Sequence, residues 1–179
     1  QRMSTIARID VRPVSVRMPR PWVPEAPELH LVRVDVEDAD GRRGSGFTWT
    51  PTIGASAVAT LLRDDISTFA IGRTADPAVL WEQLWEHLHE AGGGGITTIA
   101  MAGLDLALWD LRALAGGVGV ADLLGRRQDR LPVYGSGVNL HYSDAELADQ
   151  VRRWVDRGLD AVKIKVGRAD LDRGERRCR

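Results

Sequence analysis

A chain of 179 residues, 44% hydrophobic and 27% charged, holds enough apolar material for a core and is neither collagen-like nor disordered. Its 24 basic residues meet 25 acidic ones, a net charge of −1 that leaves no field favouring nucleic acid or an anionic membrane surface. The single cysteine, Cys178, excludes an intrachain disulfide framework and a CxxC metal site, and it fits a reducing compartment.

Gln1-Arg2-Met3-Ser4 leads straight into an alternating pattern with no apolar leader region, so a cytoplasmic protein is expected. Ile6 to Arg17, rich in β-branched residues, predicts a first strand. Leu29 to Glu37 predicts a second, with Val32, Val34 and Val36 on one face and Arg33, Asp35 and Glu37 on the other. Asp40-Gly41 supplies hairpin chemistry before a third strand near Arg43 to Phe47. Pro19, Pro21, Pro24 and Pro27, around Trp22, make the connection between the first two strands a stiffened loop.

Helices follow. Ala55 to Ile66 carries Val58, Leu61 and Leu62, and Asp76-Pro77 is a capping residue with proline at the first helical position. Trp81, Leu84, Trp85 and Leu88 form the expected apolar stripe, which Gly92 to Gly95 ends; no Gly-Lys-Ser/Thr follows, so these glycines are not a phosphate loop. His87 and His89 are two apart and point away from each other, a poor metal pair. Thr97 to Ala115 is apolar almost all round, with Asp105 and Asp110 expected to find packing partners, and predicts a buried helix. Its longest apolar run, Ile99 to Leu104, is far short of the ~18 residues of a membrane span. From Leu131 the pattern becomes β-α-β. The strand Leu131 to Tyr134 is closed by Gly135-Ser136-Gly137; a capping box at Ser143 to Glu146 opens a helix with Leu147, Val151, Trp154 and Val155; Gly158 stops it; and Asp160 to Val166 is the second, parallel strand.

Of the 24 basic residues only two are lysines, Lys163 and Lys165, and alternation places both on one face of that last strand. Two ammonium groups on a parallel strand resist desolvation, so an edge strand with a solvated face is one reading. The other starts from lysine scarcity. Arginine serves as surface charge elsewhere, but its pKa above ~12 prevents it from accepting a proton near neutrality, whereas lysine can be tuned toward ~7–8 by burial and a neighbouring cation. Positions that need a titratable amine fit this pattern.

The Lys163-Ile164-Lys165 strand resembles the KxK motif on the second barrel strand of the mandelate racemase/muconate lactonizing branch of the enolase superfamily. Ile99 through Asp110, with Asp105, Ala107, Trp109 and Asp110, resembles that branch's capping-domain helix, and Ala121-Asp122-Leu123-Leu124-Gly125 its linker into the barrel. The resemblance runs over nearly all of residues 1 to 167. It implies an α+β capping domain, a three-stranded antiparallel meander plus helices, over 1–126. The first β-α-β of an incomplete (β/α)8 TIM-type barrel follows over 127–179. It further implies abstraction of the α-proton of a small carboxylate substrate, with Mg2+ stabilising the charge that develops. Lys165 is then the acid/base. Lys163 holds the carboxylate and helps depress the pKa of Lys165. Ser136 and His141 contact substrate, and Trp22 and Trp49 lie on the two capping loops that select it. Racemisation of a 2-hydroxy acid or dehydration of an acid sugar is the favoured chemistry, on the look of Tyr134 to Ser136 and Thr48-Trp49-Thr50-Pro51.

The chain also departs from the family. A complete barrel takes ~200–250 residues, and 49 remain from Leu131 onward. The family's acidic metal ligands at the ends of the third, fourth and fifth strands have no counterpart here, so no residue is assigned to metal. From about residue 168 the tail has eight charged residues in twelve, as a frameshifted or prematurely ended reading frame gives. The expectation is a truncated chain, catalytically incompetent alone and homo-oligomeric if complete. Two alternatives stand beside it: a non-catalytic remnant or interaction module retaining the capping domain, and a barrel enzyme using a Schiff-base lysine.

Overall fold

The computed structural model describes residues 4–21, 25–137 and 140–166. It divides into two units, one of Gln1–Met18 with Glu28–Arg126 and one of Pro19–Pro27 with Arg127–Arg179. The first unit opens with three strands, β1 (Ile6–Arg17), β2 (Glu28–Asp38) and β3 (Arg43–Thr50), antiparallel in the order β1-β2-β3. Alternation sorts their side chains: Val32, Val34 and Val36 are buried, and Arg33 between them is exposed. The third strand runs on past Phe47 because Thr48, Trp49 and Thr50 still find register partners in Val32, Leu31 and His30. The hairpin between β2 and β3 turns at Gly41, at φ 78°. Inside it the buried Asp38 carboxylate accepts the Asp40 and Arg42 backbone N–H groups and the Arg42 guanidinium.

Helices cover one face of the sheet. The first begins as α1 (Ala55–Thr60), widens to a π-helical turn over Leu61–Ile66 and resumes as α2 (Ser67–Ala70), longer than the pattern Ala55 to Ile66 predicts. The Ser67 hydroxyl donates to the Leu62 carbonyl at 2.6 Å within the widened turn, and Leu62 and Ile66 are both fully buried. α3 (Pro77–His87) is capped by Asp76, whose carboxylate accepts from the Ala78 and Val79 N–H groups at 3.0 and 3.3 Å. Its core stripe is Leu80, Leu84 and Leu88. Trp85, expected in that stripe, is exposed and lies over Gly93, where a Cβ would come 2.8 Å from Cη2.

The long helix α4 (Ile96–Gly116) packs directly on β3. Two glycines in β3 allow it: a Cβ on Gly44 would stand 2.2 Å from the Ala107 carbonyl, and one on Gly46 2.4 Å from that of Gly103. Met101, Leu104, Leu108 and Leu111 thereby reach the valines of β2 and close the core. The helix stops at Gly117, at φ 67°, and a short α5 (Val120–Leu123) follows.

The second unit is a β-α-β: β4 (Gly135–Ser136), α6 (Asp144–Val155) and β5 (Val162–Lys163), with β4 and β5 parallel. The pairing lies on Gly135 and Ser136 rather than on Leu131 to Tyr134, and Leu131, Val133 and Tyr134 are exposed. The reason is packing. Trp154 of α6 occupies the space where a Cβ on Gly135 would be, 2.3 Å from Cδ2, so the helix seats only where the strand is glycine. The predicted capping box is present, Ser143 and Glu146 bonding reciprocally, and Gly158 at φ 81° ends the helix. Among the described residues no helix is long and apolar enough to cross a membrane.

Candidate active site

The parallel ladder of the second unit fixes the central pair. Gly135 stands opposite Val162 and Ser136 opposite Lys163, and the Gly135 N–H donates to the Ala161 carbonyl at 2.9 Å. Partners in a parallel ladder point to the same side of the sheet, so the Ser136 hydroxyl and the Lys163 ammonium share one face while Gly135 and Val162 share the other. Both Ser136 and Lys163 are exposed. Lys165, two residues on, is half-buried and engaged with a neighbour. One face thus carries a hydroxyl and an ammonium side by side, with a second amine close in sequence. That set can receive a carboxylate and exchange a proton.

The other predicted site residues lie elsewhere. His141 sits before α6, edge-on to Tyr142 with ring centroids 4.9 Å apart, and its buried Nδ1 has no hydrogen-bond partner among the described residues. With Pro19, Arg20, Pro21 and Tyr142 it lines a cavity of about 390 Å³ on the outer side of α6, next to Glu146, Asp149 and Arg153. The Ser143 N–H and hydroxyl, with a smaller contribution from His141, hold the Glu146 carboxyl below the usual range. Trp49 belongs to the first unit, near the end of β3, in register with Leu31 and engaged with a neighbour. Trp22 lies outside the described residues, as does the segment from 168 on.

One residue on the pattern went unread. Gln150 occupies the apolar stripe of α6, between Leu147 and Trp154, and is 6% exposed. Its carboxamide lies against Gly137, the residue after Ser136. The signal was available: a glutamine three residues after one core position and four before the next. Asp105 and Asp110 do find partners. Asp110 accepts the Ser45 N–H at 2.8 Å, and Asp105, whose carboxyl burial pushes up, accepts from Trp109.

Among the described residues no three His, Cys, Asp or Glu side chains come together as a metal centre.

Comparison with known proteins completes the picture. Residues 8–125 match the family model for the mandelate racemase/muconate lactonizing enzyme N-terminal domain. A 3,6-anhydro-α-L-galactonate cycloisomerase of Streptomyces coelicolor is 37% identical over 145 residues, 80% of this chain and 40% of that protein. A D-mannonate dehydratase of Rhizorhabdus wittichii is 32% identical over 79% of this chain and 35% of its own length. Among solved structures, a racemase from Streptomyces coelicolor with bound magnesium superposes with a TM-score of 0.91 at 33% identity, covering 96% of this chain and 50% of that one. An L-talarate dehydratase from Polaromonas, in complex with Mg and L-glucarate, does so with a TM-score of 0.85 at 28% identity, covering 97% and 47%. The chain spans half or less of the length of these relatives.

Proposed function

The chain belongs to the mandelate racemase/muconate lactonizing enzyme branch of the enolase superfamily, and on that premise we propose that it supplies the carboxylate-binding and proton-transfer strand of an enzyme that abstracts the α-proton of a hydroxy acid or acid sugar. Residues 1–126 serve as the capping domain and 127–179 as the start of the barrel. The observation that supports this reading is the register of Ser136 with Lys163, which puts a hydroxyl and an ammonium on one face, two residues before Lys165 in the chain.

In this reading the Lys163 ammonium and the Ser136 hydroxyl hold the substrate carboxylate, fixing the α-carbon in reach of Lys165. Lys165, as the free amine, takes the α-proton; as the ammonium, it returns a proton to the same carbon or assists loss of a hydroxyl group from the next one. Trp49 and Trp22, on the capping loops, and His141 are assigned to substrate selection. Magnesium, when bound, supplies Lewis-acid stabilisation of the negative charge that develops on the carboxylate. No residue of this chain is assigned to the metal in this reading.

The test continues residue 166 with the remaining barrel strands of the 37%-identical relative and assays a panel of sugar acids and 2-hydroxy acids. Product formation is expected with at least one of them. Lys165→Ala should lower kcat by about 10³-fold, and Lys163→Met should act first through KM. A Lys165→Ala chimera that keeps its kcat refutes the assignment.

A further inference from the structure

Helices cover one face of the three-stranded sheet, and the register sorts the outer face into two halves. At the end remote from the Gly41 hairpin, Val16 pairs with Leu29, and Val14, Leu31 and Trp49 form one row, with Phe47 beside them on β3. Val14, Val16, Phe47 and Trp49 are 41% to 54% exposed, and Leu29 and Leu31 between them are half-buried. Toward the hairpin the face is charged, and each carboxylate already has its arginine. Arg8 pairs with Asp10 at 2.6 Å, Arg12 and Arg33 with Asp35, and Arg43 with Glu37 at 2.8 Å. Four arginines against three carboxylates leave no strong field there to draw in an oppositely charged partner.

Single exposed apolar side chains are ordinary, whereas a contiguous group of them marks an interaction surface. The four exposed side chains present on the order of 400 Å². The two leucines and the adjoining Arg12 and Arg33 bring the patch to roughly 800 Å², the share each partner contributes to a standard interface. A sheet face is matched in shape by a second sheet face laid on it, and charge selects how two copies can meet. A two-fold axis along the strands would stack the arginine-rich half of one copy on that of the other. An axis across the strands at Leu31 overlaps only the apolar ends and sends the charged halves away in opposite directions. The Arg12 and Arg33 stems then lie over the other copy's Val16 and Leu29.

We propose that the apolar end of the outer sheet face is a dimer interface, on which a second copy of this chain packs about a two-fold axis running across the strands at Leu31. This goes beyond the function proposed above and does not depend on it.

The test is sedimentation equilibrium of the 179-residue chain at protein concentrations from about 1 to about 100 µM. A reversible monomer–dimer equilibrium is expected. Phe47→Glu should weaken association by at least about tenfold, as loss of a buried aromatic contact does. Within its own sheet the new carboxylate stands opposite Arg33, so the fold is expected to hold. Should that variant lose its cooperative melting transition, Val14→Glu takes its place. Val133→Glu, at an exposed apolar residue of the second unit, should leave the association constant within about twofold of the parent. Leu31→Glu and Leu31→Lys should each be monomeric alone and associate when mixed in equal amounts, because the axis brings this position against itself. A parent chain that stays monomeric at about 100 µM overturns the proposal. So does a dimer that a folded Phe47→Glu or Val14→Glu leaves intact, one that Val133→Glu dissociates, or a mixture of the two Leu31 variants that remains monomeric.

Discussion

Asp35 is the most heavily contacted carboxylate on the exposed face of the sheet. Arg33 donates to it through two nitrogens at 3.0 and 2.9 Å, Ser45 through its hydroxyl at 2.6 Å, and Arg12 from the neighbouring strand. Burial pushes its carboxyl up, but these donors together outweigh burial and bring it down to about 2. A depressed folded value means stability that is present above the unfolded pKa near 4 and is lost as pH falls toward 2. Asp35→Asn is therefore expected to cost on the order of 1 kcal/mol at pH 7, allowing for solvent screening. In denaturant titrations the two chains should converge below pH 2. A difference that persists undiminished well below pH 2 means the residue acts through packing. Asp105 has the opposite sign. Burial raises its carboxyl although the Trp109 indole donates to it, so its protonated form is favoured in the fold and stability is lost as pH rises through the raised value. Asp105→Asn should raise the melting temperature at pH 7 and have little effect below the unfolded value; a lower melting temperature at pH 7 contradicts this.

At the scale of elements, the contact of α4 with β3 decides whether the first unit folds. Gly44 and Gly46 let the helix backbone touch the strand, and Gly103 on the helix meets Thr48 and Val34 where a Cβ would come within 3.2 Å. Gly46→Ala puts a methyl group against the backbone of Gly103 and Ala107, which cannot yield as a flexible side chain would. About 3 kcal/mol of destabilisation is expected, read as a shift in urea midpoint with the slope unchanged; a loss below about 0.5 kcal/mol shows that the helix can slide. The sequence pattern carried the three strands, the proline-capped α3 and the buried α4 because each rests on local periodicity and capping. It misplaced the strand at Leu131 to Tyr134, where apolar content pointed one way and a glycine-dependent helix contact pointed the other. It also could not show the π turn after Thr60, which depends on two core positions being filled at once and on the Ser67 hydroxyl. Trp85 left the stripe for a similar reason, since a ring able to lie on Gly93 need not lie on the core.

At the scale of the whole molecule, the proposed chemistry rests on the two lysines. Alternation alone put them on one face, but nothing in the sequence set that face against Ser136; the parallel ladder did. Gln150 was hidden because a polar residue in an amphipathic helix is read by default as surface, and only the helix's seat on Gly135 and Gly137 shows otherwise. The capping-domain match over residues 8–125 and the superposition over half of a magnesium-bound racemase set the context in which these residues operate. The most direct measurement is deuterium wash-in at the substrate α-carbon. The chain, continued by the barrel strands of its 37%-identical relative, is incubated in deuterium oxide with a responding sugar acid and magnesium, and isotope content is followed by mass spectrometry. The account predicts gain of one mass unit in substrate or product, lost on chelation of the metal and lost with Lys165→Ala. Wash-in that survives Lys165→Ala, with the fold intact, contradicts it.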